Sequence, residues 1–157
     1  TPKETYTNEN YKFISNNIIT KYCPSFDQGI VDNKTTLDKC DDAARYNMGG
    51  SWRMPTLSEY EELVDNCSWS YTTHNGVEGY RAFSKINGNS IFFPANGCYI
   101  RTSLCDNIFE GFYWSSTNCD NDIFPDKSAY FIGFSIKKYV VDWFMRFYGY
   151  GVRPVSD

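Results

Sequence analysis

The stretch Glu110-Gly111-Phe112-Tyr113-Trp114-Ser115-Ser116-Thr117 opens a region that closes on Gly149-Tyr150-Gly151-Val152-Arg153-Pro154-Val155, and its large side chains outnumber what a single packed layer can hide. Strands are expected at Tyr113 to Ser116, Ala129 to Ile136, Tyr139 to Tyr148 and Gly151 to Val155, with an Asn/Asp-rich loop before the second. Side chains alternate along a strand, so Tyr130, Ile132, Phe134 and Ile136 share one face, the expected core face, and Ala129, Phe131, Gly133 and Ser135 the other. In the next strand Tyr139, Val141, Trp143, Met145 and Phe147 alternate with Val140, Asp142, Phe144, Arg146 and Tyr148. Neither set is an ordinary solvated face. Two readings stay open: both faces are buried between layers, or one is a recognition surface where Tyr and Trp supply rigid contact area with a polar handle.

Upstream of this region the pattern is mixed. Residues 1 to 35 are rich in turn formers, notably Asn8, Asn10, Asn16, Asn17, Pro24 and Asn33, and read as loops with one short helix or strand. A first helix is expected over Leu37 to Asn47, capped by Thr35 or Thr36 and stopped by Gly49-Gly50. Thr56-Leu57-Ser58-Glu59 is a capping box, and Tyr60, Leu63, Val64 and Cys67 follow at helical spacing, which predicts a second helix over Leu57 to Asn66 with a solvated acidic face. The period then changes to two. Trp69 to Thr73, Val77 to Ser84 and Ser90 to Pro94 read as strands joined by turns at His74-Asn75-Gly76 and Asn87-Gly88-Asn89, and Pro94 must end its strand or lie on an edge. Cys98 to Phe109 reads as an irregular excursion.

Length and composition limit the possible functions. The chain has 157 residues, 18% of them aromatic and 22% charged, which suits one β-rich globular domain. A net charge of -4 without any Lys/Arg run argues against a nucleic-acid partner, whose phosphates need clustered cations. No apolar run reaches the roughly 20 residues that span a bilayer, and the absence of a leader before Thr1 reads as a mature or excised domain. Six cysteines without a C-x-x-C pair, beside one histidine, give poor support for zinc and leave disulfides or buried thiols. Cys98 with Cys105 or Cys119 is the favoured pairing, while Cys67 reads as a buried helix thiol.

Chemistry-bearing motifs are sparse. There is no G-x-S-x-G elbow, Walker loop, H-E-x-x-H or dinucleotide fingerprint, so no cofactor is expected and only a carboxylate pair stays open as a catalytic route. His74 belongs to a turn and reads as a solvated loop residue. Asp120-Asn121-Asp122 with Asp126 offers oxygen ligands for calcium but lacks the glycine and glutamate of an EF-hand, and an Asx-turn role is the commoner one. Asn33-Lys34-Thr35 and Asn66-Cys67-Ser68 match the glycosylation sequon.

Several segments carry a family resemblance. Val31-Asp32-Asn33-Lys34-Thr35-Thr36-Leu37, Asp41-Asp42-Ala43-Ala44, Gly49-Gly50-Ser51-Trp52-Arg53-Met54-Pro55-Thr56 and Asn66-Cys67-Ser68-Trp69 resemble the Fibrobacter succinogenes major paralogous domain family. So do Gly88-Asn89-Ser90-Ile91-Phe92-Phe93-Pro94-Ala95, Tyr113-Trp114-Ser115-Ser116-Thr117 and Val152-Arg153-Pro154-Val155. The resemblance runs from about Tyr22 to Val155, leaving residues 1–21 as an N-terminal segment and 22–157 as the domain.

The resemblance implies an α+β, C-type-lectin-like fold, with two helices packed against small antiparallel sheets and the chain ends brought together. It also implies a non-enzymatic ligand-binding domain at a bacterial or phage surface, as in exported or lipid-anchored Bacteroidetes surface proteins, fimbrial tip modules and variable proteins of diversity-generating retroelements. Partners would be a protein or glycan on another surface, with the membrane reached only through an upstream lipid anchor. The Glu-Pro-Asn and Trp-Asn-Asp motifs of calcium-dependent sugar-binding lectins are absent, so calcium-mediated sugar recognition is not implied. Trp52, Arg53, Pro55, Trp114 and Arg153 fall to the scaffold, and the recognition face to Asn118, Asp120, Asp142, Trp143, Phe144, Met145, Phe147, Tyr148 and Tyr150. The rival readings are a structural pilus or surface module and an enzyme acting on glycans.

Overall fold

The computed structural model describes residues 5–105, 109–119, 127–136 and 138–157. The architecture is mixed α+β, with two helices and five small sheets among the described residues. Asp120, Asn121, Asp122 and Asp126, the candidate calcium ligands, lie outside those residues.

The Asn-rich start is more ordered than its turn formers suggest. Strands β1 (Ile14–Ser15), β2 (Ile18–Cys23) and β3 (Gly29–Val31) form a sheet in that order. Asn16 and Asn17 both take positive φ, so they are the tight turn of a hairpin rather than breakers of structure. Farther along, helix α1 spans only Ala43–Met48, which corrects the expected start at Leu37. Tertiary bonds claim the preceding turn: the Asp38 N–H donates to the Tyr22 hydroxyl at 2.9 Å, and the Asp41 carboxylate accepts from Tyr22 and Lys21. Asp42 is the cap instead, accepting from Arg45 N on one oxygen and from Met54 N on the other.

Helix α2 (Leu57–Asn66) starts where its capping box predicts. Glu59 N–H donates to Thr56 Oγ1 and Thr56 N–H to Glu59 Oε2. Arg53, in strand β4 (Trp52–Arg53), grips the same carboxylate through two nitrogens at 2.7 and 2.8 Å. This bidentate pair, helped by the Thr56 donors and opposed by partial burial, leaves the Glu59 carboxyl at about 2, below its ordinary 4.5. The chain then forms the meander β5 (Cys67–His74), β6 (Val77–Ser84) and β7 (Ser90–Pro94), with Pro94 closing the edge strand as its missing donor requires. The segment read as irregular contains a second hairpin, β8 (Cys98–Ile100) and β9 (Ser103–Cys105). Its two-residue turn begins at Arg101, whose φ of 55° gives no glycine signal.

The last region builds the central sheet: β10 (Gly111–Cys119), β11 (Ser128–Ser135) and β12 (Lys138–Met145), antiparallel and in that order. Between Trp114 and Asn118 the register shifts by an extra pair of residues, and Ser115, Ser116 and Thr117 explain why. Ser115 Oγ donates to Tyr130 O, Ser116 N–H donates to Pro55 O, and Thr117 Oγ1 accepts from Leu57 N at the start of α2. The Ser-Ser-Thr run is therefore a joint between the sheet and α2. The expected final strand is reduced to β13 (Val155–Ser156) paired with β4, plus one bridge from Gly151 to Tyr113. At the other end, Tyr6 bridges to Arg101 and its ring lies against Gly149.

Both faces of the central sheet are covered. Ile132, Phe134 and Tyr113 pack with Tyr60, Tyr80 and Phe93, beneath α2 and the meander. On the opposite face Phe131, Ala129 and Trp114 pack with Ala44 and Met54. The expectation of one core face on β11 is thus corrected: Ala129, Phe131 and Gly133 are as buried as Ile132 and Phe134, whereas Ile136 is exposed. Complete burial of a large apolar side chain is worth about 1.5–3 kcal/mol, so β11 anchors the fold from both sides.

Candidate ligand-binding face

Strand β12 is the edge of the central sheet, and the covering layers do not extend fully over it. Lys138, Val140, Asp142 and Phe144 are all exposed, while Val141, Trp143 and Met145 are half-buried. The ladder explains the alternation: Val140, Asp142 and Phe144 stand opposite Gly133, Phe131 and Ala129, and share their face, while Val141, Trp143 and Met145 stand opposite Ile132, Tyr130 and Ser128. The exposed set forms a ledge beyond the Trp114–Phe131 core. It is continued by the turn after β12, where Tyr148 stacks on Phe144 at 5.0 Å and 19° and Phe147 leans on Tyr148 at 5.0 Å.

Concavities adjoin the ledge at both ends. A groove of about 210 Å³ lies at its Val140 end, floored by Phe112, Phe131 and Gly133, with Lys138 and Glu110 among its lining residues. A larger cleft of about 400 Å³ opens at the Phe147–Tyr148 end, against Thr7, Asn8, Glu9, Ile100 and Arg101. Its walls are held by backbone pairs. Tyr6 and Arg101 exchange two hydrogen bonds, as do Tyr99 and Gly149. A Cβ on Gly149 would sit 2.6 Å from the Tyr6 ring and 2.8 Å from Tyr99 Cβ, so only glycine lets these three segments meet. Along ledge and clefts, aromatic faces alternate with an acid at Asp142, a base at Arg101 and amide and hydroxyl groups at Asn8 and Thr7. Such a surface offers aromatic contact area together with hydrogen-bonding and charged groups.

The structure divides the residues expected on the recognition face. Asp142, Phe144, Phe147 and Tyr148 come together. Trp143 and Met145 lie on the opposite face of the same strand. Tyr150 is removed from the surface set: its ring stacks on Trp114 at 4.3 Å and on Phe112 at 5.0 Å, with its edge toward Phe131. Burial, with Cys98, Tyr148, Cys105 and Asp142 adding to it, pushes its phenol well above the ordinary range. Asn118 shares the face of Phe144 but serves as a tie, donating to Lys34 O and accepting from Arg146 at 3.3 Å each. Asp120 lies outside the described residues. Val140, Asn8, Glu9 and Arg101 were not readable as site residues, because their positions depend on which edge the layers leave open and on a bridge between distant segments.

Among the expected scaffold residues, Pro55 is fully buried, Arg53 binds Glu59 and Asp157, and Trp114 donates its indole N–H to Tyr148 O. Trp52 departs from that set, with 39% of its surface exposed. His74 is not in the turn itself but is the last residue of β5, exposed beside the Asn75-Gly76 turn with its Nδ1 2.8 Å from Arg81. Among the described residues no three His, Cys, Asp or Glu side chains gather as a metal site would require, and no helix is long and apolar enough to cross a membrane. No protein-family model, curated protein or solved structure matches the chain.

Proposed function

We propose that this chain is a non-enzymatic ligand-recognition domain displayed at a cell surface, with a C-type-lectin-like fold, and that it binds a protein or glycan through the β12 ledge. One observation carries the reading: Phe144 is exposed at the sheet edge with the half-buried rings of Tyr148 and Phe147 packed in series beside it, while Tyr113, Trp114, Phe131 and Phe134 of β10 and β11 are buried. Exposed apolar groups cost solubility unless a partner covers them, and rigid aromatic rings beside a few polar groups are the usual anchors of such contacts. The resemblance to surface modules of gut bacteria points to the same role, including a face whose residues vary between relatives.

The test is a glycan and surface-protein array with the intact chain, repeated with Phe144→Ala and Phe147→Ala. Binding lost in both variants, with unchanged circular dichroism, supports the ledge. Ligands bound equally well by both variants refute it. No binding by the parent chain favours a purely structural module.

A further inference from the structure

Six cysteines raise the question of which can pair, and the register of one hairpin answers it. Cys98 in β8 stands directly opposite Cys105 in β9, the only two cysteines among the described residues that strand register sets face to face. The pair type follows from the backbone. Tyr99 directs both its N–H and its C=O to Gly149, and Gly97 directs its N–H to Glu110. These alternate residues thus point away from β9, so Cys98 and Cys105 are a hydrogen-bonded cross-strand pair, for which the Cα separation is about 5.5 Å. Cystines cluster at Cα separations of about 5.5–6 Å.

The surroundings hold this approach in place. A Cβ on Gly97 would lie 2.7 Å from the Cys105 carbonyl oxygen, so glycine lets the chain pass close beneath β9. Elsewhere, Cys23 donates its thiol to Ser25 O, Cys40 is exposed, Cys67 is buried opposite Ser84, and Cys119 lies opposite Ser128.

We propose that Cys98 and Cys105 form a cystine that staples the β8–β9 hairpin, the element that carries Arg101 into the cleft beside Phe147 and Tyr148. The bond is independent of whether that cleft binds a ligand. The oxidant is a disulfide of the glutathione or dithiol-oxidase class. Cys105, half-exposed, is the point of entry: its thiolate attacks one sulfur of the external disulfide and expels a thiolate, leaving a mixed disulfide. Cys98 then attacks Cys105 Sγ, the S–S bond closes within the hairpin, and the second external thiolate leaves. Two protein thiols are oxidised, and one external disulfide is reduced to two thiols that take up the two protons. Burial, followed by contact with Cys105, pushes the Cys98 thiol up to about 12, so Cys98 suits the second step rather than the first.

The sequence makes the test direct. The intact chain is incubated with oxidised glutathione, alkylated with iodoacetamide and digested with trypsin and a Glu-specific protease. Cleavage after Lys85, Arg101, Glu110 and Lys127 puts Cys98 in fragment 86–101, Cys105 in 102–110 and Cys119 in 111–127. The expected product is fragment 86–101 joined to 102–110, released by dithiothreitol. Recovery of 86–101 with an alkylated Cys98, or joined to 111–127, overturns the proposal.

Discussion

Two rings six residues apart, Phe144 and Tyr150, have different surroundings, and their removal separates scaffold from surface. Tyr150→Ala deletes a ring stacked on Trp114 and Phe112 and touching Phe131. Large aromatic truncations in a packed core cost about 3–5 kcal/mol, and Tyr150, being only half-buried, belongs at the lower end, about 3 kcal/mol. Phe144→Ala deletes a ring that is 41% exposed and stacks on one neighbour, Tyr148. An aromatic pair contributes about 0.5–1.5 kcal/mol beyond its area, and the remaining burial at this edge is partial, so a loss of about 1 kcal/mol is expected. With a urea dependence of about 2 kcal/mol per molar, the midpoint falls by about 1.5 M for Tyr150→Ala and about 0.5 M for Phe144→Ala. Tryptophan fluorescence and far-ultraviolet circular dichroism should report both as single transitions. Equal losses would refute the distinction, because Phe144 would then be a core ring and the ledge would have lost its basis.

The remaining predictions concern the framework. The Glu59 carboxyl lies below its ordinary value, so the stability that it contributes is fully present above about pH 4.5 and is lost as the pH falls through about 2; urea midpoints at pH 6 and pH 3 should converge more for Glu59→Gln than for the parent. Thr56→Ala removes the acceptor for Glu59 N–H and should cost about 1 kcal/mol, measured by thermal unfolding. Gly149→Ala places a Cβ against Tyr6 and Tyr99 and should cost about 1–3 kcal/mol, with faster amide exchange at Tyr99 and Arg101 by mass spectrometry.

Local signals in the sequence located local structure well. The capping box at Thr56 and Glu59 fixed both the start and the register of α2, and the Asn75-Gly76 turn set the β5–β6 hairpin, because each depends on residues within a few positions. The start of α1 was misplaced for the converse reason: Tyr22, about sixteen residues upstream, takes the Asp38 N–H out of the helix. The β8–β9 hairpin was missed because Arg101, not glycine or asparagine, adopts the left-handed turn conformation. At the candidate site, aromatic density marked the strand that forms the sheet edge but not its faces. Alternation puts Phe144 and Trp143 on opposite sides, yet only the placement of α1, α2 and the meander determines which side remains uncovered. Tyr150 shows the same limit, since a tyrosine between two glycines gives no sign of the Trp114 ring beneath it.

The alternation along β12 has a consequence for how freely this chain can change. Its inward-leaning residues, with Val141 packed against the Tyr60–Ile132 cluster, keep the strand in register. Lys138, Val140, Asp142 and Phe144 project into solvent from the same backbone. Side chains at those four positions can be exchanged with little effect on the layer that carries the fold's stability. Surface chemistry and foldability are thereby assigned to alternate residues of one strand, and a library randomised at the even positions alone would sample new surfaces while nearly every member still folds.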